Sequence, residues 1–73
     1  MTSSVKSARR VLGVLELLGS NPEPMALHEI ASALELPRSS AHGLIGTLLD
    51  TGYVIQHRDK RYGLSMKWLA LMS

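Results

Sequence analysis

The feature that most constrains this chain is Pro37, a proline set between two short stretches that share one helical spacing. Before it, Leu27, Ile30, Ala31 and Leu34 fall at i, i+3, i+4 and i+7; after it, Ala41, Leu44, Ile45 and Leu48 repeat the series. Each set lines one face of an α-helix, and in the first it leaves His28, Glu29 and Ser32 to solvent. A proline disfavours helical geometry at the residue before it, here Leu36. It suits the first position of a new helix, because its missing N–H has no partner there. The first helix is therefore expected to stop near Leu34 and the second to run over residues 37–51. Gly52 then stands where a left-handed cap is usual. Two amphipathic helices joined by so short a turn form a helix-turn-helix.

The outward face of the second helix differs from an ordinary solvated surface. Ser39, His42, Gly43, Gly46 and Asp50 are short side chains or bare backbone. Each of the two glycines weakens the helix by about 1 kcal/mol relative to alanine. Their presence points to close approach of the helix to another large molecule.

The flanking segments complete the outline. From Ser7 the positions Ala8, Val11, Leu12, Leu15 and Leu18 predict a helix ending at Gly19, and Gly19 to Pro24 is a loop by composition. Met25 to Leu27 fits a short extended segment. After Gly52 the period changes: Tyr53-Val54-Ile55-Gln56 and Arg61-Tyr62-Gly63-Leu64 read as an antiparallel hairpin whose tip is His57-Arg58-Asp59-Lys60. A basic hairpin tip after a helix-turn-helix is a wing. Ser65 suits the cap of a last helix, Met66 to Met72, that is apolar on nearly every side around Trp68. Such a helix expects a partner, either a second copy or a further domain. The expected fold is mainly α with a small β-hairpin, a winged helix-turn-helix with a three-helix core. Its divisions are a flexible amino-terminal arm over 1–6, a DNA-binding domain over 7–64, and the start of a linker or dimerisation helix over 65–73.

Length and composition narrow the function. Seventy-three residues make one domain with a small core and no room for an enclosed substrate cleft. Cysteine is absent, which removes disulfides and thiolate metal sites and fits a cytoplasmic protein. No run of 18 apolar residues exists, so neither a membrane span nor a signal peptide is expected. His28, His42 and His57 are far apart without carboxylates at ligand spacing, and neither a metal nor another cofactor is expected. Ser39 or Ser40 with a histidine and Asp50 supplies the residue types of a catalytic triad, but there is no nucleophile elbow or glycine-rich loop. An enzyme is not expected.

Charge points to DNA. The formal net charge is only +2, but the cations are clustered. Lys6, Arg9 and Arg10 lie near the start, Arg38 opens the second motif helix, and Arg58, Lys60 and Arg61 surround the hairpin tip. These are the three places where winged helices touch nucleic acid. Lys6, Arg9, Arg10, Arg58, Lys60 and Arg61 are candidate phosphate contacts. Arg38, Ser39 and Ser40, in the first turn of the recognition helix, fit a phosphate as well, although Ser39 also reads as a plain helix cap. His42, flanked by Gly43 and Gly46, is the candidate for base edges in the major groove.

Four segments carry a family resemblance: Val5-Lys6-Ser7-Ala8-Arg9-Arg10-Val11-Leu12, Leu36-Pro37-Arg38-Ser39-Ser40-Ala41-His42, Thr51-Gly52-Tyr53-Val54 and Arg61-Tyr62-Gly63-Leu64. Together with the order of elements, they resemble the amino-terminal DNA-binding domain of IclR-type transcriptional regulators. The resemblance implies a prokaryotic regulator, more often a repressor than an activator, that binds operator DNA as a dimer or tetramer. It also implies a larger carboxy-terminal domain that takes a small organic effector, which these 73 residues do not contain. The chain departs from the family pattern where Glu35 and Ser65 replace glycine and where Gly43 replaces arginine. Two other readings stay open: a winged helix used for protein association, and a DNA-binding winged helix of the MarR or ArsR type.

Overall fold

The computed structural model describes residues 2–67 and residue 70, with side chains from Lys6 onward. Three helices, α1 (Thr2–Ser20), α2 (Leu27–Ala33) and α3 (Arg38–Thr51), are followed by strands β1 (Val54–Gln56) and β2 (Tyr62–Leu64). The strands pair antiparallel with Val54 opposite Leu64, Ile55 opposite Gly63 and Gln56 opposite Tyr62. Met25 adds a bridge to Tyr62, exchanging backbone bonds of 2.9 and 2.7 Å. The winged helix-turn-helix is thus present, and the extended segment at Met25 flanks β2 through this single bridge. No described helix is long and apolar enough to cross a membrane.

The core lies where the three helices and β1 converge. Val14, Leu15 and Leu18 of α1 meet Ile30 of α2, Ile45 and Leu48 of α3, and Val54. Ile30, Ile45, Val14 and Val54 are its largest fully buried side chains. Both motif helices present the faces that their spacing predicts, with Ile30, Ala31, Ala41, Ile45 and Leu48 buried. In α1 the buried face is turned by about one position. Val14 is fully buried, whereas Leu12 is 56% exposed and Ala8 is exposed. Two sets with the same spacing overlap in this leucine-rich helix, and packing selects the one that brings Gly13 against Leu34. There, a Cβ on Gly13 would stand 3.6 Å from that side chain.

Three boundaries differ from expectation. Helix α1 begins at Thr2, not Ser7, because residues 2–6 hold no glycine or proline to stop propagation from the packed turns. Its last residue is Ser20, whose hydroxyl donates to the Glu16 carbonyl at 2.7 Å and extends the helix past Gly19. Pro37 is the N-cap of α3 and not its first residue: its ψ of 148° is extended, while its carbonyl accepts the first helical bond from Ala41. The Ser65 hydroxyl donates to the Gly52 carbonyl, and its expected role as the cap of a last helix bears on Trp68, outside the described residues. Trp68, Leu69, Leu71 and Met72, on which the expected apolar helix mainly rests, lie outside the described residues.

Both turns that frame α3 are Schellman motifs. At the end of α3 the Tyr53 N–H reaches the Leu48 carbonyl and Gly52 reaches Leu49, with Gly52 at φ 86°. At the end of α2 the Leu36 N–H reaches Ala31 and Glu35 reaches Ser32, but the left-handed residue is Glu35, at φ 54°. A glutamate thus holds a conformation that glycine adopts more readily.

Candidate nucleic-acid interface

Helix α1 presents Lys6, Arg9 and Arg10 at i, i+3 and i+4, on neighbouring rows of its surface. Lys6 and Arg9 are exposed and Arg10 is half-buried. Arg10 belongs to two depressions. With Arg9, Gly13, Leu34 and Leu36 it borders the turn between α2 and α3. With Ser7, Ser39, Ser40, Gly43 and Thr47 it lines a groove between α1 and the amino-terminal half of α3. The fold therefore joins the first basic cluster to the start of the recognition helix.

That start is open for a ligand. Pro37, which carries no donor or acceptor in its side chain, holds the N-cap, and no side-chain hydrogen bond caps the helix. Ser39 is thus not the cap that its type permits. Arg38 and Ser39 are exposed, Ser40 is half-buried, and the first-turn N–H groups precede the first helical bond. Further along, Ser39, His42, Gly43 and Gly46 share the outward face, on which Thr47 and Asp50 are also exposed. The Thr47 hydroxyl donates to the Gly43 carbonyl at 3.2 Å. A Cβ at Gly43 or Gly46 would meet nothing within 4 Å. Neither glycine is required by packing among the described residues.

The wing divides its cations. Arg58 and Lys60 are exposed at the tip, outside the groove beside α1, and Lys60 closes the turn with φ 65° and a 3.0 Å bond from its N–H to the His57 carbonyl. Arg61 is engaged within the molecule. Its guanidinium lies 2.9 Å from Glu29 Oε1 and 3.4 Å from Asp59 Oδ2. The same Glu29 oxygen accepts the Ala26 N–H at 2.8 Å, the one half of a capping box that an alanine N-cap permits. That backbone bond, followed by the positive charge of Arg61, holds the Glu29 carboxyl below the usual glutamate range against partial desolvation. Among the described residues, no three histidine, aspartate or glutamate side chains converge as metal ligands.

Two contributors escape a reading of the sequence. Glu29 reads as a solvated position because alanine hides the capping box. Lys67 sits in an apolar stretch, yet its ammonium reaches the Thr51 carbonyl at 2.7 Å and lies 4.7 Å from the centre of the Tyr53 ring. A contact 16 residues apart leaves no local pattern.

Comparison with known proteins agrees with this geometry. The IclR helix-turn-helix domain matches residues 7–58. The glycerol operon regulatory protein of Streptomyces coelicolor is 35% identical over 72 residues, covering 97% of this chain and 28% of that protein. The crystal structure of the repressor BlcR of Agobacterium tumefaciens superposes with a TM-score of 0.84 at 26% identity, over 93% of this chain and 27% of that one. The Thermotoga maritima IclR structure also gives 0.84, over 92% of this chain and 27% of that one; at 24% identity it bears on the fold alone. The chain spans little more than a quarter of the length of these relatives. The family match over residues 7–58, with 35% identity across nearly the whole chain, leaves one assignment: the chain belongs to the IclR helix-turn-helix family of DNA-binding transcription regulators.

Proposed function

We propose that this domain recognises an operator sequence in double-stranded DNA and serves a cytoplasmic transcription repressor. Helix α3 enters the major groove with His42 towards base edges, Gly46 lets its backbone approach closely, and Gly43 opens onto the groove that Arg10 lines. Arg38, Ser39, Ser40 and the first-turn N–H groups take a backbone phosphate; Lys6, Arg9 and Arg10 take others. Arg58 and Lys60 reach the flanking backbone or minor groove. Arg61 we assign to holding the wing, because two carboxylates already engage it. A second copy, joined through the segment around Trp68, would present a second recognition helix to a two-fold operator. The repressor sign rests on BlcR, which is named a repressor.

One observation carries the reading: Arg10 lines the same groove as Ser39, Ser40, Gly43 and Thr47, so cation and open helix face form one surface. Titration with duplex DNA at a series of salt concentrations tests it. Six phosphate contacts give a slope of log affinity against log salt of about 5, at roughly 0.9 per contact. A flat line overturns the reading and leaves the face to a protein partner.

A further inference from the structure

Three consecutive carbonyls close helix α3, and a single short segment satisfies all of them. The Thr51 carbonyl accepts from the Lys67 ammonium at 2.7 Å, the Gly52 carbonyl accepts from the Ser65 hydroxyl, and the Tyr53 carbonyl accepts from the Ser65 N–H at 2.9 Å. Carbonyls at a helix end lack intrahelical donors, and the end carries partial negative charge, so a cation there is favourable twice over. Lys67 also lies over the Tyr53 ring at 4.7 Å, and its stem runs beside Gly52, where an added Cβ would stand 3.6 Å from the Lys67 Cδ. Ser65 is buried. The segment that leaves the wing is thereby fastened to the far end of the recognition helix.

We propose that Lys67 is a positioning residue for DNA recognition: it fixes the carboxy-terminal end of α3 and with it the angle at which the first turn meets DNA. The inference rests on the DNA-binding reading above. Helix α3 has 14 residues. At 1.5 Å per residue it is about 21 Å long, so a tilt of about 5° at one end moves the other by about 2 Å. Hydrogen bonds to base edges and phosphates do not survive such a shift. The ammonium is committed to Thr51 and Tyr53, which sets Lys67 apart from cations that would meet phosphate directly.

The test uses the 73-residue chain with Lys67→Met, which keeps a long apolar stem, Lys67→Arg, which keeps a cation, and Tyr53→Leu, which removes the ring. Amide exchange at Gly52 and Tyr53 is followed without DNA, and duplex affinity is measured at several salt concentrations. For Lys67→Met, exchange at both amides should rise about two- to tenfold, the range set by an exposed cation at a helix end and over a ring. Affinity should fall by a similar factor at unchanged salt slope. Lys67→Arg should restore both, and Tyr53→Leu should shift both in the same direction as Lys67→Met. Unchanged exchange overturns the proposal, as does faster exchange with unaltered affinity. A slope shallower by about 0.9 with exchange unchanged makes Lys67 a phosphate contact instead. If the unaltered chain shows no salt-dependent binding, the DNA reading falls and this role falls with it; the exchange data then separately decide whether the clamp exists.

Discussion

Oε1 of Glu29 lies 2.9 Å from the Arg61 guanidinium and 2.8 Å from the Ala26 nitrogen, so one carboxylate oxygen ties the start of α2 to the base of the wing. Both contacts favour the ionised form, the backbone bond most strongly, and the folded chain therefore binds a proton at Glu29 less readily than the unfolded chain does. The stability that follows is fully present above the ordinary glutamate value of 4.5 and drains away as pH falls through the lower folded value. Glu29→Gln should flatten the acid limb of a stability-against-pH curve below that point and leave the neutral region nearly parallel to the unaltered chain. An unchanged acid limb would show that Glu29 is not linked to folding. Arg61→Met should loosen the wing yet leave the DNA salt slope unchanged, whereas Arg58→Met or Lys60→Met should lower that slope by about 0.9 each.

Glu35 offers a second test, one confined to the backbone. It occupies the left-handed position of the α2 Schellman motif at φ 54°, and no side-chain bond offsets the conformation among the contacts described. A left-handed L-residue costs about 1 to 2 kcal/mol, part of which glycine returns as extra freedom in the unfolded chain. Glu35→Gly should stabilise the domain by about 1 kcal/mol, seen as a higher urea midpoint at constant slope. Destabilisation would mean that the glutamate side chain contributes more than the backbone loses.

The fold was legible because Pro37, Gly52 and two matching apolar series act locally. Each sets a helix, a stop or a turn by means that need no distant partner. What escaped reading is non-local. Leu12 and Val14 both fit a helical spacing in α1, and only packing against distant residues such as Ile30, Ile45 and Val54 decides between them. Arg61 carries the same charge as Arg58 and Lys60, but its ion pair is with Glu29, 32 residues away. The Ser65 hydroxyl satisfies the carbonyl of Gly52, 13 positions earlier, a contact that no local pattern announces. The glycines of the recognition helix are conspicuous in the sequence, and the structure adds that nothing among the described residues demands them.

Gly43 can be tested by addition. A side chain there enters open space, with nothing within 4 Å of its Cβ, and joins the groove that Arg10 already lines. Gly43→Arg should also strengthen α3, by about 1 kcal/mol of recovered helix propensity. It should raise affinity for every duplex, steepen the salt slope by up to about 0.9 if the new cation meets a phosphate, and favour guanine if it pairs with a base edge. Weaker binding to all duplexes would instead show that the bare backbone at Gly43 lies against DNA and that the space is already used.

His42 bears the remaining burden of direct readout. The outward face of α3 offers Ser39, His42, Gly43, Gly46, Thr47 and Asp50, and the Thr47 hydroxyl is already bonded to the Gly43 carbonyl. That face offers few long donors for the bidentate pair with guanine that gives about 1 to 3 kcal/mol of discrimination. Direct reading must then come from His42 and the serines, with DNA shape supplying more. Specificity from this single domain should be modest, and a contact to a base edge displaces no phosphate counterion. His42→Ala should therefore relax preference at one or two base pairs while leaving the salt slope intact. The measurement compares the unaltered and variant chains on operator and scrambled duplexes at two salt concentrations. A loss of equal factor on both duplexes would remove His42 from base reading, and a shallower slope would make it a phosphate contact. The expected result is a selective loss, with operator binding weakened towards the scrambled level and scrambled binding unmoved.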